Sequence, residues 1–279
     1  MSRRAVALIA LLLVEACLSA CRPPGIDAIE LRITADEFVL HMPDSIPAGL
    51  VHITLHNAGH DLHEAALERF TDSQGTAAAF ADSIRAHVTF PSNAEDIGGA
   101  ALTLPGDSSG VWLQLVPGRY AVVCWKGDHI ERGMVHDLRV VASPGTSAAT
   151  PRPTRELTLV DFAFALDSPF TAGRTILHVR NAGTEAHEGD IYRATPTARL
   201  REYVAWLESG EHGLPPAAPV GGFGDLFPGK EAWIELDLTP GRYFILCGVP
   251  ARADDRPHYT RGMFIEFSIP AQGRAALKR

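Results

Sequence analysis

Cysteine is scarce in this 279-residue chain: there are four, at positions 17, 21, 124 and 247. Two of them sit in the first 21 residues and the other two are far apart, so a disulfide framework is not in prospect. Long apolar runs are also missing. Ala5 through Val14 is too short to cross a bilayer as a helix. Basic residues are outnumbered, with Lys+Arg 25 against Asp+Glu 33 and a net charge of −8. No basic stripe with interleaved aromatics occurs, which argues against a nucleic-acid partner. The chain has no Gly-x-Ser-x-Gly elbow, no His-Glu-x-x-His and no dinucleotide fingerprint. Gly224 to Lys230 imitates a phosphate loop, but Glu231 replaces the required hydroxyl residue and a strand-like alternation follows, so it reads as a turn.

What remains is a chain long enough for two ordinary domains. A hydrophobic share of 46% and a charged share of 21% fit a globular protein. The N-terminus reads as a targeting segment, with Arg3 and Arg4 ahead of the short apolar stretch. Leu18-Ser19-Ala20-Cys21 then resembles a bacterial lipobox, which implies cleavage after residue 20 and a lipid on Cys21. Removal of residues 1–20 takes away Arg3, Arg4 and Glu15 and leaves a net charge of about −9. Residues 21–27 would be a lipidated tether.

The informative feature is a repeat. Pro117-Gly118-Arg119-Tyr120 leads through an apolar run to Cys124, then His129 and Met134. Pro240-Gly241-Arg242-Tyr243 leads likewise to Cys247, then His258 and Met263. Upstream, Asn57-Ala58-Gly59 precedes His63-Glu64, and Asn181-Ala182-Gly183 precedes His187-Glu188. Gly98-Gly99 matches Gly221-Gly222 at the same offset that separates the cysteines. A period this long means two domains, at 28–142 and 155–270, with a Ser/Thr/Pro-rich linker at 143–154 and a tail at 271–279.

Each copy reads as strands broken by turns. Ile53 and Leu55 alternate ahead of Asn57; Ile234, Leu236 and Leu238 alternate with Trp233, Glu235 and Asp237, one face buried and one wet. One helix interrupts each copy. In the second, Thr195 caps it, Pro196 takes its first turn, Gly210 ends it, and Leu200, Tyr203, Val204 and Leu207 form its apolar face. Residues 76–88, with Phe80, Ile84 and Val88, are the weaker counterpart. The expected fold is all-β: two tandem Greek-key β-sandwiches, each with one inserted helix.

One thiol, two imidazoles and one thioether per copy is the ligand list of a type 1 copper site, His₂Cys in a plane with a weak axial Met. Soft sulfur suits Cu(I) and imidazole suits Cu(II), so such a set serves both states. On these residues both halves resemble cupredoxins, the blue-copper domain family. The resemblance implies one site of His63, Cys124, His129 and Met134 and another of His187, Cys247, His258 and Met263. Two departures stand out: Glu64 and Glu188 follow the upstream histidines where the family often has a small amide residue, and ten residues separate Cys247 from His258. His60 and His136 lack histidine counterparts and read as turn or neighbouring residues. His41, His52, His56, His87, His178 and His212 read as surface or packing residues.

No His stands beside either cysteine and no His-x-His pair occurs, so a coupled catalytic copper cluster is not expected and the chain reads as not an enzyme. The expectation is a lipid-anchored, exported copper protein of the bacterial envelope, facing periplasm or exterior, that transfers electrons to a redox partner protein. A non-redox binding lipoprotein and a copper storage or delivery protein are the alternatives.

Overall fold

Apolar residues at every second position, cut by Gly, Pro and Asn, give short strands throughout the chain. The computed structural model describes residues 27–86, 90–143, 148–209 and 215–271. The segment expected to be a leader, Cys21, His87, Val88, Gly210, His212, part of the expected linker and nearly all of residues 271–279 lie outside these residues.

The first half runs β1 (Ile29–Asp36), β2 (Val39–His41), β3 (Ser45–Pro47), β4 (Gly49–Asn57), β5 (His63–Phe70), α1 (Ala77–Arg85), β6 (Ala94–Thr103), β7 (Ser108–Leu115), β8 (Gly118–Val123) and β9 (Val135–Val141). The second runs β10 (Arg155–Val160), β11 (Ala163–Leu166), β12 (Gly173–Asn181), β13 (His187–Ala194), α2 (Leu200–Glu208), β14 (Ala217–Leu226), β15 (Glu231–Leu238), β16 (Gly241–Leu246), a 3-10 turn (His258–Arg261) and β17 (Phe264–Ile269). Each half is a two-layer sandwich. One layer holds β2-β1-β4-β7 or β11-β10-β12-β15, the other β6-β5-β8-β9-β3 or β14-β13-β16-β17. Pairing is mostly antiparallel, with β1 parallel to β4 and β10 parallel to β12, as Greek-key crossovers require. Leu31, Ile53, Leu67 and Val122 fill the first sandwich; Leu157, Val179, Ile191 and Ile245 fill the second. Tyr120 and Tyr243 each bond their hydroxyl to a carbonyl four residues back, at 2.7 Å in both halves, and lock the Pro-Gly corner.

The halves do not merely sit in sequence. β7 pairs with β15 and β6 with β14, both antiparallel, so each layer of one sandwich continues into the other. This junction corrects the expected wet face of β15 at Trp233 alone; Glu235 and Asp237 are exposed as the alternation predicts. Trp233 lies opposite Trp112 across the seam, and both are buried with Leu50 and Ile176 on the outer side of the sheet. His52 and His178 stack on the two indoles at 4.2 and 4.6 Å. At Trp233, a position that would face water in a lone sandwich faces an apolar patch built by two.

The helices need one correction. In α1, Thr76 caps the helix by accepting from the Ala79 amide, and Phe80 faces inward. In α2, Thr195 does not cap: its N–H is still bonded to Pro216 O as an extension of the strand ladder. The helix starts at Leu200, where the Arg199 N–H meets the Glu202 carboxylate and the Leu200 N–H meets Glu266.

Candidate metal centres

Strand direction brings the ligand residues together. Cys124 and Cys247 end β8 and β16, Met134 and Met263 precede β9 and β17, and His63 and His187 open β5 and β13 beside them. In the first half, Cys124 Sγ lies 3.3 Å from His129 Nδ1 and 4.0 Å from His63 Nδ1. In the second, Cys247 Sγ lies 3.4 Å from His258 Nδ1, which lies 3.0 Å from His187 Nδ1. Each trio places one ligand atom per residue within 4.8 Å of the others, and all six residues are buried. Met134 and Met263 are fully buried, and their carbonyls accept the Cys124 and Cys247 amides at 3.2 Å. The Met134 N–H returns to His129 O at 2.8 Å and the Met263 N–H to His258 O at 3.2 Å, so loop and strand close identically twice.

The ten-residue gap does not pull the second site apart. Its extra residues bond among themselves: the Ala251 N–H to Arg256 O, the Asp255 N–H to Ala251 O, and Arg261 to Asp254 at 2.8 Å. The excursion leaves and returns at a Pro250–Pro257 bridge, so His258 lands where His129 does.

The donors suit a soft, redox-active metal. Burial pushes the Cys124 thiol up to about 12 and raises Cys247 strongly as well, so either becomes a thiolate only with a cation beside it. Amide N–H groups are already aimed at the sulfurs: those of Glu64 and Lys126 at Cys124, and those of Glu188 and Val249 at Cys247. Burial also lowers the pKa of all four histidines, which keeps the rings neutral and able to ligate near pH 7. In the second site the outward nitrogens are held. His187 Nε2 meets Asp161 at 3.1 Å and His258 Nε2 meets Glu185 at 3.2 Å, which assigns the ring protons outward and leaves Nδ1 free to bind. Burial works against the Asp161 carboxylate, but hydrogen bonds from Thr184, Glu185 and His187 outweigh it and hold it well below the usual range. His63 Nε2, by contrast, has no hydrogen-bond partner among the described residues. Two His₂Cys groups of this kind, one per half, fit copper.

Sequence reasoning passed over the cover of each site. Phe38 and Phe162, at φ 62° and 65°, sit edge-on to His129 and His258 at centroid distances of 5.2 and 5.1 Å. Arg132 and Arg261 lie over those rings at 3.3 and 4.9 Å. A left-handed Phe costs about 1–3 kcal/mol of backbone strain. The structure keeps it twice, at the edge where the second histidine would otherwise meet water. The residues Glu30-Leu31 and Glu156-Leu157 set Phe38 against Phe164 in sequence; strand pairing with Asn57 and Asn181 shifts the register by two and sets it against Phe162. His60 is exposed, and only its amide is engaged, by Glu37. His136 pairs with Asp44 at 3.0 Å, away from the donors.

No family model matches the chain, and no curated protein matches it. Solved structures do. Auracyanin A, a "blue" copper protein from Chloroflexus aurantiacus, is 18% identical over 41% of this chain and 99% of its own, with a TM-score of 0.31. A copper-containing nitrite reductase from Thermus scotoductus is 13% identical over 88% of this chain and 63% of its own, at 0.23. A multicopper oxidase from Pseudomonas thermotolerans is 12% identical over 89% and 69%, at 0.27. Both halves are cupredoxin-like. That statement rests on the strand order and the ligand placement above, because TM-scores this low carry no argument of their own. The expectation that the chain is not an enzyme is withdrawn: two of these three structures are enzymes. The missing histidine beside each cysteine bears on one way of coupling coppers, not on catalysis in general.

Proposed function

We propose that this chain is an electron-transfer protein with one type 1 copper in each half, ligated by His63, Cys124, His129 and Met134 and by His187, Cys247, His258 and Met263. The observation that carries the reading is the convergence of two Nδ1 atoms and one Sγ, buried and repeated. Bound copper supplies a one-electron couple between Cu(I) and Cu(II). The chain's own residues do the rest. The amides at each sulfur favour thiolate, the sandwich core excludes water, and the doubly anchored loop keeps the donors in place in both oxidation states.

β5 and β13 run antiparallel within the joint sheet, so their opening histidines lie at opposite ends of it. Strand spacing and rise put the two about 25 Å apart. The sites therefore face different surfaces, and each exchanges electrons through its own Phe–Arg cover. Arg132 and Arg261 stand at those covers, each paired with an acid of its own loop, Asp128 at 3.9 Å and Asp254 at 2.8 Å. Lipid on Cys21 would hold the protein at an envelope membrane on its periplasmic or outer side. No helix among the described residues is long and apolar enough to cross a membrane.

The test is the visible spectrum of the chain lacking its leader, loaded with Cu(II). An intense thiolate-to-copper band is expected, reduced by about half in Cys124→Ser or Cys247→Ser and absent in the double variant, as two independent thiolate sites require. A colourless Cu(II) protein rejects the reading.

A further inference from the structure

The two donor sets match on the side that faces the metal and differ behind it. Loop closure, the Met carbonyls and the Phe covers repeat from one half to the other. The outward ring nitrogens do not. His187 Nε2 meets Asp161 Oδ1 at 3.1 Å, and His258 Nε2 meets Glu185 Oε2 at 3.2 Å. A carboxylate only accepts, so both nitrogens carry protons and both rings lean on an anion. Among the described residues, His63 Nε2 has no hydrogen-bond partner and His129 Nε2 meets no carboxylate.

The difference is one of side-chain length, not of charge. In the register set by Asn57 and Asn181, Glu37 matches Asp161 and Asp61 matches Glu185. Each half thus carries one Asp and one Glu here, in opposite order. Glu37 is taken up by the amides of His60 and Asp61. Asp61 is exposed and makes no bond to His129 among the described residues. In the second half, Asp161 accepts the Thr184 and Glu185 amides and the Thr184 hydroxyl, and still has Oδ1 on His187. Glu185 Oε2 takes the Arg252 amide at 2.9 Å, and Arg252 belongs to the ten-residue excursion that the first half lacks. The long loop therefore sets the second acid against its histidine.

A carboxylate behind a ligating imidazole raises the basicity of the nitrogen in front. The more highly charged metal ion gains more from this than the less charged one. We propose that Asp161 and Glu185 make the two copper sites unequal, with the second half at the lower reduction potential, so that the half-reduced protein keeps its electron on the first. This rests on the copper reading above. Cu(I) in the second site and Cu(II) in the first then exchange one electron downhill, with no proton and no other reactant. Asp161 and Glu185 touch no reacting atom; they are positioning residues that act through His187 and His258. Loss of such partners changes metal affinity by about 10–100-fold. A tenfold preference for one oxidation state is about 59 mV for one electron.

The experiment is a redox titration of the copper-loaded chain followed at the thiolate-to-copper band, in Cys247→Ser for the first site and in Cys124→Ser for the second. The second site is expected at least ~59 mV below the first, a tenfold preference. Asp161→Glu with Glu185→Asp, placed in Cys124→Ser, keeps both charges and gives the second half the acids of the first. It should raise the second midpoint by as much while the band persists, and Asp161→Asn with Glu185→Gln should raise it at least as far. Equal midpoints, or a second site above the first, overturn the proposal and leave the copper reading standing, since the band itself reports copper. A second midpoint unmoved by both pairs of substitutions overturns it as well. The single-site comparison decides even where a carboxyl variant fails to fold. A chain with no band in either background fails the copper reading, and the proposal with it.

Discussion

Replacing Asp190 with asparagine should stabilise the metal-free protein, and by more as the pH rises. Asp190 is 7% exposed on β13 and accepts the Tyr192 hydroxyl at 3.0 Å. Burial pushes its pKa up to about 6 from the ordinary 3.8. The folded chain therefore holds a proton that the unfolded chain has released anywhere between these values. Stability linked to this group is fully present below pH ~4 and is lost as pH climbs toward 6. Two units at 1.36 kcal/mol each give about 3 kcal/mol by pH 8. Asparagine keeps an acceptor for Tyr192 and carries no charge. Urea unfolding of wild type and Asp190→Asn should show near-equal stability at pH 4 and a gap of about 2–3 kcal/mol in favour of the variant at pH 8. Asp161, held low, acts in the opposite sense and only at more acid pH, where its stabilisation is lost as pH falls. A gap that is flat with pH, or that closes as pH rises, refutes the reasoning.

Asn57→Ala should cost about 2–4 kcal/mol in denaturant unfolding, because the buried amide donates to Asp61 O and Thr103 O and accepts from the Gly59 N–H, all left unpaired. Asn181→Ala should behave alike, since it repeats those three bonds to Glu185, Leu226 and Gly183. Gly99→Ala should lose about 3 kcal/mol or more, as its Cβ would stand 2.2 Å from Ala65 O in a backbone contact that cannot yield. An unchanged urea midpoint in either case removes the packing argument. Phe38→Asn keeps a residue that accepts the left-handed backbone but strips the ring from His129. Its copper band should persist while reduction by a small reductant in stopped flow speeds up; an unaltered rate means that the ring is no cover.

How much of this could be read in the residues depends on whether the signal was local. The His₂Cys groups were legible because Cys and His recur at fixed places in two copies, and strand ends brought His63 and His187 to them. The sandwich itself was legible from alternation and Pro-Gly corners. The start of α2 was not, because whether Thr195 caps or stays in the ladder depends on Pro216, which pairs with it from across the sheet. Trp233 was misassigned to water because alternation describes one strand and says nothing of a second sandwich against its outer face. Glu64 and Glu188 stood out in sequence as departures, but Asp96, Asp190 and Asp225 could not, since none has an acidic counterpart in the other copy.

That last asymmetry follows from the seam. β6 meets β14 at Ala100 and Phe223, and β7 meets β15 at Val111 and Ile234; both pairs are related by the repeat offset itself. Equivalent residues facing each other define a pseudo-twofold axis, the geometry of an isologous dimer whose subunits have become one chain. In a true dimer any acid near the axis meets its own copy, and like charges then face each other at close range. Fusion removes that constraint. Tyr192 can stand where Glu68 stands in the other half, and Pro219 where Asp96 does, so the two halves need not bring the same acids to the cavity of about 860 Å³ at the seam. A cavity on the axis would be single in a symmetric dimer too; what the duplicated chain adds is an unequal wall, with Asp96 and Asp225 where the other copy has Pro219 and Leu102.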